Sequence, residues 1–572
     1  MKRARLQLAA PANEIGGTFE GMSTLRLRQF VVLLFTLAPV VAVAQQQQVP
    51  VAAESIDVTI RNVELVVSDR AGNRITGLPS SEFQLYEDGL AHDITNFSEM
   101  RRATTASAFQ PAPRAILLAF DITSLTQNAR RNAVDSARHF LAANLRTNDR
   151  VTIYAVGNTL TKACDWTFDL PTVNRALDSI STAASPSIAG GREAAEKRVL
   201  AQVGDIQLGD QASNAVYFDF RAMVAEARTF AAQELRGAAQ TVNYLSAALN
   251  AFGHTPAKKV MLIAGGGLPM RPGADLFAIL ENVRIRAEQG ELGPGAKRGA
   301  KQASPLTEAA LFDLGPFARN FSANAVRRGV AVYALDPELG ERSSGRAEYA
   351  ALNDSSADFS GIASRVAGYQ FLAMETGGAA ILGRRGADAL SDIAKDLDSY
   401  YSLGYRTDAK AGEVPKVEVK SKTGFRVRAT FAGLPPTRES EMEDRVIANH
   451  VEQVSANDLG IALAATPDGK SEKRHVKLRI LIPVRNLKLD QDGEFVTGGF
   501  DVYVATGDAA GNSSPVNRQT HRIKWPAGAL PALMEKSITY NVDVELEPGR
   551  KQISVGVVDQ KSERAGFEKI GV

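Results

Sequence analysis

Cysteine is nearly absent: Cys164 is the only one in 572 residues. A lone thiol excludes an intrachain disulfide framework and any zinc site built on two or more thiolates; beside an apolar strand it reads as a small buried hydrophobe. Histidine is scarce too. The six (His92, His139, His254, His450, His475 and His521) are scattered, and none forms H-E-x-x-H or another metal pair at helical spacing. Neither sign of charge dominates, with 66 Lys and Arg against 64 Asp and Glu, so no global field draws the chain toward nucleic acid or anionic lipid. Long apolar runs are missing beyond residue 43, so no later segment has membrane-spanning length. What is present is ordinary for a globular protein: 44% hydrophobic and 23% charged residues, over a length that suits about three domains.

The one apolar run, residues 30–43, follows Arg26 and Arg28 and ends at Ala42-Val43-Ala44. It is interrupted by Pro39 and falls short of the ~20 residues of a membrane span, and basic start, apolar middle and small-residue end form the pattern a signal peptidase reads. Residues 1–44 are therefore expected to be a secretory signal cut after Ala44, with Met22 an alternative start. The mature chain then carries 61 basic and 62 acidic residues. It is expected to be extracytoplasmic, periplasmic or secreted, with no transmembrane anchor after cleavage.

Between residues 50 and 105 apolar and polar residues alternate (Val58, Ile60, Val63, Leu65, Val67), with turns at Asp69 to Asn73 and Glu87-Asp88-Gly89, which predicts a small N-terminal β unit. From 113 to 432 the pattern is α/β. Apolar runs at 115–120, 151–156, 260–264 and 330–335 have the continuous hydrophobicity of parallel strands buried on both faces, and they alternate with amphipathic stretches such as 128–145 and a long Ala-rich helix at about 215–252. Loops are expected at 289–305 and 338–360, a linker at 433–445, and a C-terminal β-sandwich-like domain at 446–572 from its several short alternating strands.

Nucleophile and nucleotide motifs are missing: no G-x-S-x-G, Walker loop or G-x-G-x-x-G occurs, and Lys422-Thr423-Gly424 has no S-x-x-K to accompany it and reads as a hairpin turn. The informative place is the end of the first buried strand, Asp121-Ile122-Thr123-Ser124-Leu125, because open α/β sheets bind ligands at the carboxyl ends of their strands. Strand, Asp-x-Thr, amphipathic helix and second strand resemble the von Willebrand factor type A fold. The resemblance implies a Rossmann-like, doubly wound, mostly parallel sheet. It also implies a divalent ion, magnesium by preference, with Asp121 and Thr123 as its metal ligands and Asp121, Thr123 and Ser124 as the partner-binding residues. Two positions depart from that pattern: Leu125 stands where a hydroxyl is expected, and Ala264-Gly265-Gly266 where the fourth strand would enter Ser/Thr-Asp-Gly. One carboxylate is thus missing from the shell of a hard cation, and the reading preferred for Asp121 is the cap of the turn or helix that follows.

A closer resemblance is to the VWFA-related proteins described from Acidobacteria, carried by Thr76-Gly77-Leu78, Phe83 and Tyr86-Glu87-Asp88-Gly89, by Glu375-Thr376-Gly377-Gly378, and by residues 399–405 (SYYSLGY). It implies secretion, a type A domain and protein binding, with no assigned reaction. The expected function is a secreted or periplasmic, non-enzymatic interaction protein with a degenerate metal-ion-dependent adhesion site, no required cofactor and an unidentified protein partner. The alternatives are a structural envelope component that makes its contacts through the C-terminal β domain, and a secreted hydrolase. The tyrosines of 399–405 read as an aromatic strand packed under the last helix of the α/β region.

Overall fold

Six strands make the central sheet: β5 (Arg114–Asp121), β6 (Arg150–Val156), β7 (Leu160–Thr167), β8 (Lys258–Ala264), β9 (Val330–Asp336) and β10 (Ala380–Leu382), in the order β10-β9-β8-β5-β6-β7. The computed structural model describes residues 59–101, 113–183, 220–252, 257–291, 303–337, 339, 355–384, 387–409, 415–431, 437–450, 457–468, 474–508, 513–547 and 550–572. The expected signal at 1–44, the start of the linker at 433–436 and most of the loops expected at 289–305 and 338–360 lie outside these residues. All neighbours in the sheet are parallel except β6 and β7. Alternate residues of β5 enter different cores. Ala115, Leu117 and Ala119 pack on the side of helices α3 (Phe220–Leu249), α5 (Gly315–Arg327) and α6 (Ser355–Glu375). Ile116, Leu118 and Phe120 pack on the side of α1 (Gln127–Asn144), α2 (Leu170–Thr182) and α7 (Ser391–Asp398). Burial on both faces is why these strands are continuously apolar in sequence. The first half of α3 leaves the sheet to pack on α4 (Ala274–Gln289).

The strands of the N-terminal β unit do not close a sheet of their own. β1 (Thr59–Ser68) lies between β11 (Ser399–Thr407) and β13 (Arg426–Phe431), and β11 pairs in turn with β4 (Ile94–Arg101). A second sheet combines β2 (Phe83–Glu87), β3 (Leu90–His92) and β12 (Val417–Ser421). The two share a core of Val63, Leu65, Phe83, Leu85, Leu403 and Val419. Residues 59–101 and 399–431 are thus one β module, where composition suggested a separate unit at 50–105 and a continuous α/β stretch to 432. Alternation shows that a strand has one buried face; it does not show which strand lies beside it.

The C-terminal region is a β-sandwich. One sheet is β14 (Ala462–Asp468), β15 (Arg474–Pro483) and β19 (Ser537–Leu546); the other is β16 (Asp490–Asp492), β17 (Phe495–Gly507), β20 (Gln552–Asp559) and β21 (Ala565–Gly571), with β18 (Asn517–Pro526) on β17. Val476, Leu478, Val502, Val544 and Val555 fill the space between. The charged run at 438–445, read as linker, is instead the helix α8 (Arg438–Ala448). Its Met442 and Val446 pack on Tyr503 and Phe567 of the sandwich, while Ala448 belongs to the α/β core. Thr437 caps it by accepting from the Ser440 amide. Among the described residues no helix is long and apolar enough to cross a membrane.

Candidate functional site

The chain enters the sheet at β5, adds β6 and β7 on one side, then crosses to β8, β9 and β10 on the other. This reversal opens a crevice between the carboxyl ends of β5 and β8, where open α/β sheets place their ligands. The structure brings Asp121 and the Gly265 turn together at that point. Asp121 Oδ1 accepts from the Thr123 amide at 3.1 Å, the Thr123 hydroxyl at 2.7 Å and the Ser124 amide at 3.2 Å. The Ser124 hydroxyl donates to the Asp121 carbonyl and accepts from the Gly266 amide at 2.9 Å. It therefore bridges the two strand ends. Thr126 caps α1 through the Ala129 amide, and Leu125 is buried in the third motif position.

Asp121 is 3% exposed and Thr123 is 7% exposed. Of the three sequence-nominated residues only Ser124 reaches the surface in part, beside the exposed Gln127 and Asn128 at the start of α1. The cover comes from α6, a contribution the sequence reading missed. The Leu268 and Met270 amides donate to the Arg365 and Ser364 carbonyls at 2.9 and 3.0 Å, and Tyr369 of the same helix lies buried against Gly265. Gly368 is the signal in the sequence: any Cβ there would come within 2.9 Å of the Leu268 side chain, so this helix face must be bare for the β8 loop to lie on it.

These residues do not fit a hard divalent ion, which takes several oxygens and favours carboxylates. The oxygen of Asp121 facing the turn already accepts three donors, Leu125 offers no oxygen, and among the described residues no three His, Cys, Asp or Glu side chains come together as a ligand set. Nor do the other reactive side chains gather here. Burial raises the Cys164 thiol above its usual range, on edge strand β7. Burial lowers His521, and it lowers His450 to about 4, both in the C-terminal part of the chain.

Helices on both faces, one antiparallel edge strand and a crevice beside the first strand make up the Rossmann-like frame expected from Asp-x-Thr and its helix. It is the doubly wound, mostly parallel strand order that the resemblance to the von Willebrand factor type A fold implies. No family model matches the chain, and no curated protein matches it. Among solved structures it is similar to an aerotolerance-related membrane protein from Bacteroides fragilis, at 11% identity over 50% of this chain and 98% of that one, TM-score 0.22. It is also similar to a von Willebrand factor type A protein from Catenulispora acidiphila, at 10% identity over 86% and 74%, TM-score 0.23. A third is a pilus adhesin from Lactobacillus rhamnosus GG, at 10% identity over 87% and 58%, TM-score 0.27. Scores of this size leave the fold to rest on the strand order itself.

Residues 76–89 and 399–405, which carried the second resemblance, meet in the β module, away from the crevice. The Tyr401 hydroxyl donates to the Ile75 carbonyl and accepts from the Leu78 amide, each at 3.1 Å. Tyr405 and Thr407 donate to the two oxygens of Glu87, each at 2.7 Å. The tyrosine strand is β11: Tyr401 and Tyr405 face the core of the β module, and Tyr400 on the opposite face lies under Lys258 of β8, where a helix was expected to cover the strand. Gly377 and Gly378 join the parts: a Cβ on Gly377 would lie 2.6 Å from Thr430 Oγ1 on β13, and one on Gly378 would overlap the Val332 backbone of β9.

Proposed function

We propose that this chain is an extracytoplasmic, non-enzymatic interaction protein that holds a protein partner on the rim of the type A carboxyl edge, around Ser124 and the first turn of α1. One observation carries the reading. The residues that would do chemistry at the crevice are occupied with building it: Asp121 organises its own turn, Thr123 faces inward, and Ser124 ties β5 to the β8 loop. A rigid rim with a committed interior suits recognition by shape and hydrogen bonding. In this reading the metal-ion-dependent adhesion site is degenerate and no cofactor is required. The test is affinity capture from native envelope extract, with and without chelator, using the wild type and Asn128→Arg. A partner retained in chelator and lost with Asn128→Arg supports the rim; capture that Asn128→Arg leaves unchanged rejects it.

A second reading, a structural envelope component that works through its C-terminal β domain, has its own observation. Among the described residues β18 pairs only with β17, leaving a ten-residue edge with Arg522 and Lys524 exposed. Open edges accept strands from partners. Capture abolished by a proline at Thr520 and untouched by Asn128→Arg favours this reading.

A further inference from the structure

Gly265 follows the last residue of β8 and lies beside Asp121, and the direction its side chain would take is filled. A Cβ built there lies 3.4 Å from Asp121 Cβ and 3.0 Å from Tyr369 Cζ, and it overlaps the Tyr369 hydroxyl oxygen outright. Tyr369 is 0% exposed. Its helix cannot slide aside, because Gly368 is in contact with Leu268 and two backbone hydrogen bonds pin the β8 loop to α6.

We propose that the Tyr369 hydroxyl is the built-in occupant of the crevice, standing where a second carboxylate would have to project for Asp121 to share a divalent cation, and that Gly265 and Tyr369 are a matched pair that makes this edge metal-independent. A phenol brings an oxygen to the position without a carboxylate's charge, and a hard dication needs that charge. The pairing also explains the glycine, since every other residue at 265 collides with the phenol. The contact between Gly265 and Tyr369 is the same whether or not the rim binds a partner.

Thermal unfolding with and without millimolar MgCl2 or MnCl2 tests the metal half on five proteins: wild type, Tyr369→Phe, Gly265→Asp, Gly265→Asp/Tyr369→Ala, and that double variant with Asp121→Ala. The expected result is no metal-dependent rise in the first three, a rise of several degrees in the double variant, and its loss when Asp121 is also removed. A double-variant cycle tests the steric half without any metal: Gly265→Ala should lower the melting temperature by several degrees in the wild type and by much less in Tyr369→Phe. Should Gly265→Asp/Tyr369→Ala not fold, the cycle and the wild-type titration still decide. A metal-dependent rise in the wild type, a folded double variant blind to metal, or equal effects of Gly265→Ala in both backgrounds overturns the proposal.

Discussion

His450 is a buried imidazole whose ring nitrogens have no hydrogen-bond partner among the described residues. Burial and the nearby Lys569 and Arg550 hold it at about 4, with Asp508 opposing only in part. A free histidine takes up its proton near 6.5, so between pH 6.5 and 4 the unfolded chain binds a proton that the folded one refuses. The neutral-ring stability is complete above pH 6.5 and falls as the pH drops toward 4, by about 2 kcal/mol at pH 5. Urea midpoints at pH 7 and pH 5 check this: the drop should be smaller in His450→Gln than in the wild type, and equal drops would dismiss the imidazole as its source. A second residue-scale expectation concerns Glu87, buried with Tyr405 and Thr407 as its donors. Tyr405→Phe removes one donor from a buried carboxylate and should destabilise by about 1–3 kcal/mol, read as a shifted denaturant midpoint.

Elements in this molecule are joined by buried charge. Asp396 on α7 receives Arg74 from the turn after β1, Arg428 from β13 and the Tyr333 hydroxyl from β9 at 3.0 Å. At the amino edge of the sheet Lys258 of β8 meets Glu64 of β1 at 2.8 Å and lies over the Tyr400 ring. Burial pulls the Lys258 amine down, against Glu64, and pushes the Tyr400 phenol up to about 12. These contacts dock the β module onto the α/β layer. Asp396→Ala leaves two arginines without their shared carboxylate and should lose about 3–5 kcal/mol, measured by chemical denaturation. Helix α8 does the same on the other side, where Asp444 meets Arg328 at 2.8 Å and Met442 packs against Tyr503 and Phe567 on the outer face of the sandwich. Met442→Ala should lose about 2–5 kcal/mol.

At the scale of the whole chain, the β module is discontinuous, and that makes a strong demand on any fragment. A piece spanning 113–432 without 59–101 strands β11 between two missing neighbours, β1 and β4. It should aggregate, whereas 59–432 should elute as a folded species; a soluble, monodisperse 113–432 fragment would refute the shared module. The C-terminal sandwich should stay associated after a cut. With a protease site placed between 432 and 437, the nicked pieces should co-elute without denaturant, because α8 puts Ala448 into one core and Met442 into another.

Residue pattern alone determined the buried strands, the helices between them, the sandwich and the turns at Asp69, Glu87 and Lys422, because each follows from local periodicity or turn chemistry. Local pattern carried α8 as well: Thr437 after two prolines, with Glu439 and Glu441 in the first turn, is a helix start, and charge hid it behind a linker. Asp121 was legible as an important carboxylate, since a buried strand ending in Asp-x-Thr announces a turn. That Tyr369 meets Gly265 across the crevice, that Tyr405 finds Glu87, and that β1 pairs with β11 was decided by the tertiary structure alone. Those partners are separated by a hundred to more than three hundred positions in the chain, and side-chain periodicity states which face of an element is buried without stating what lies against it.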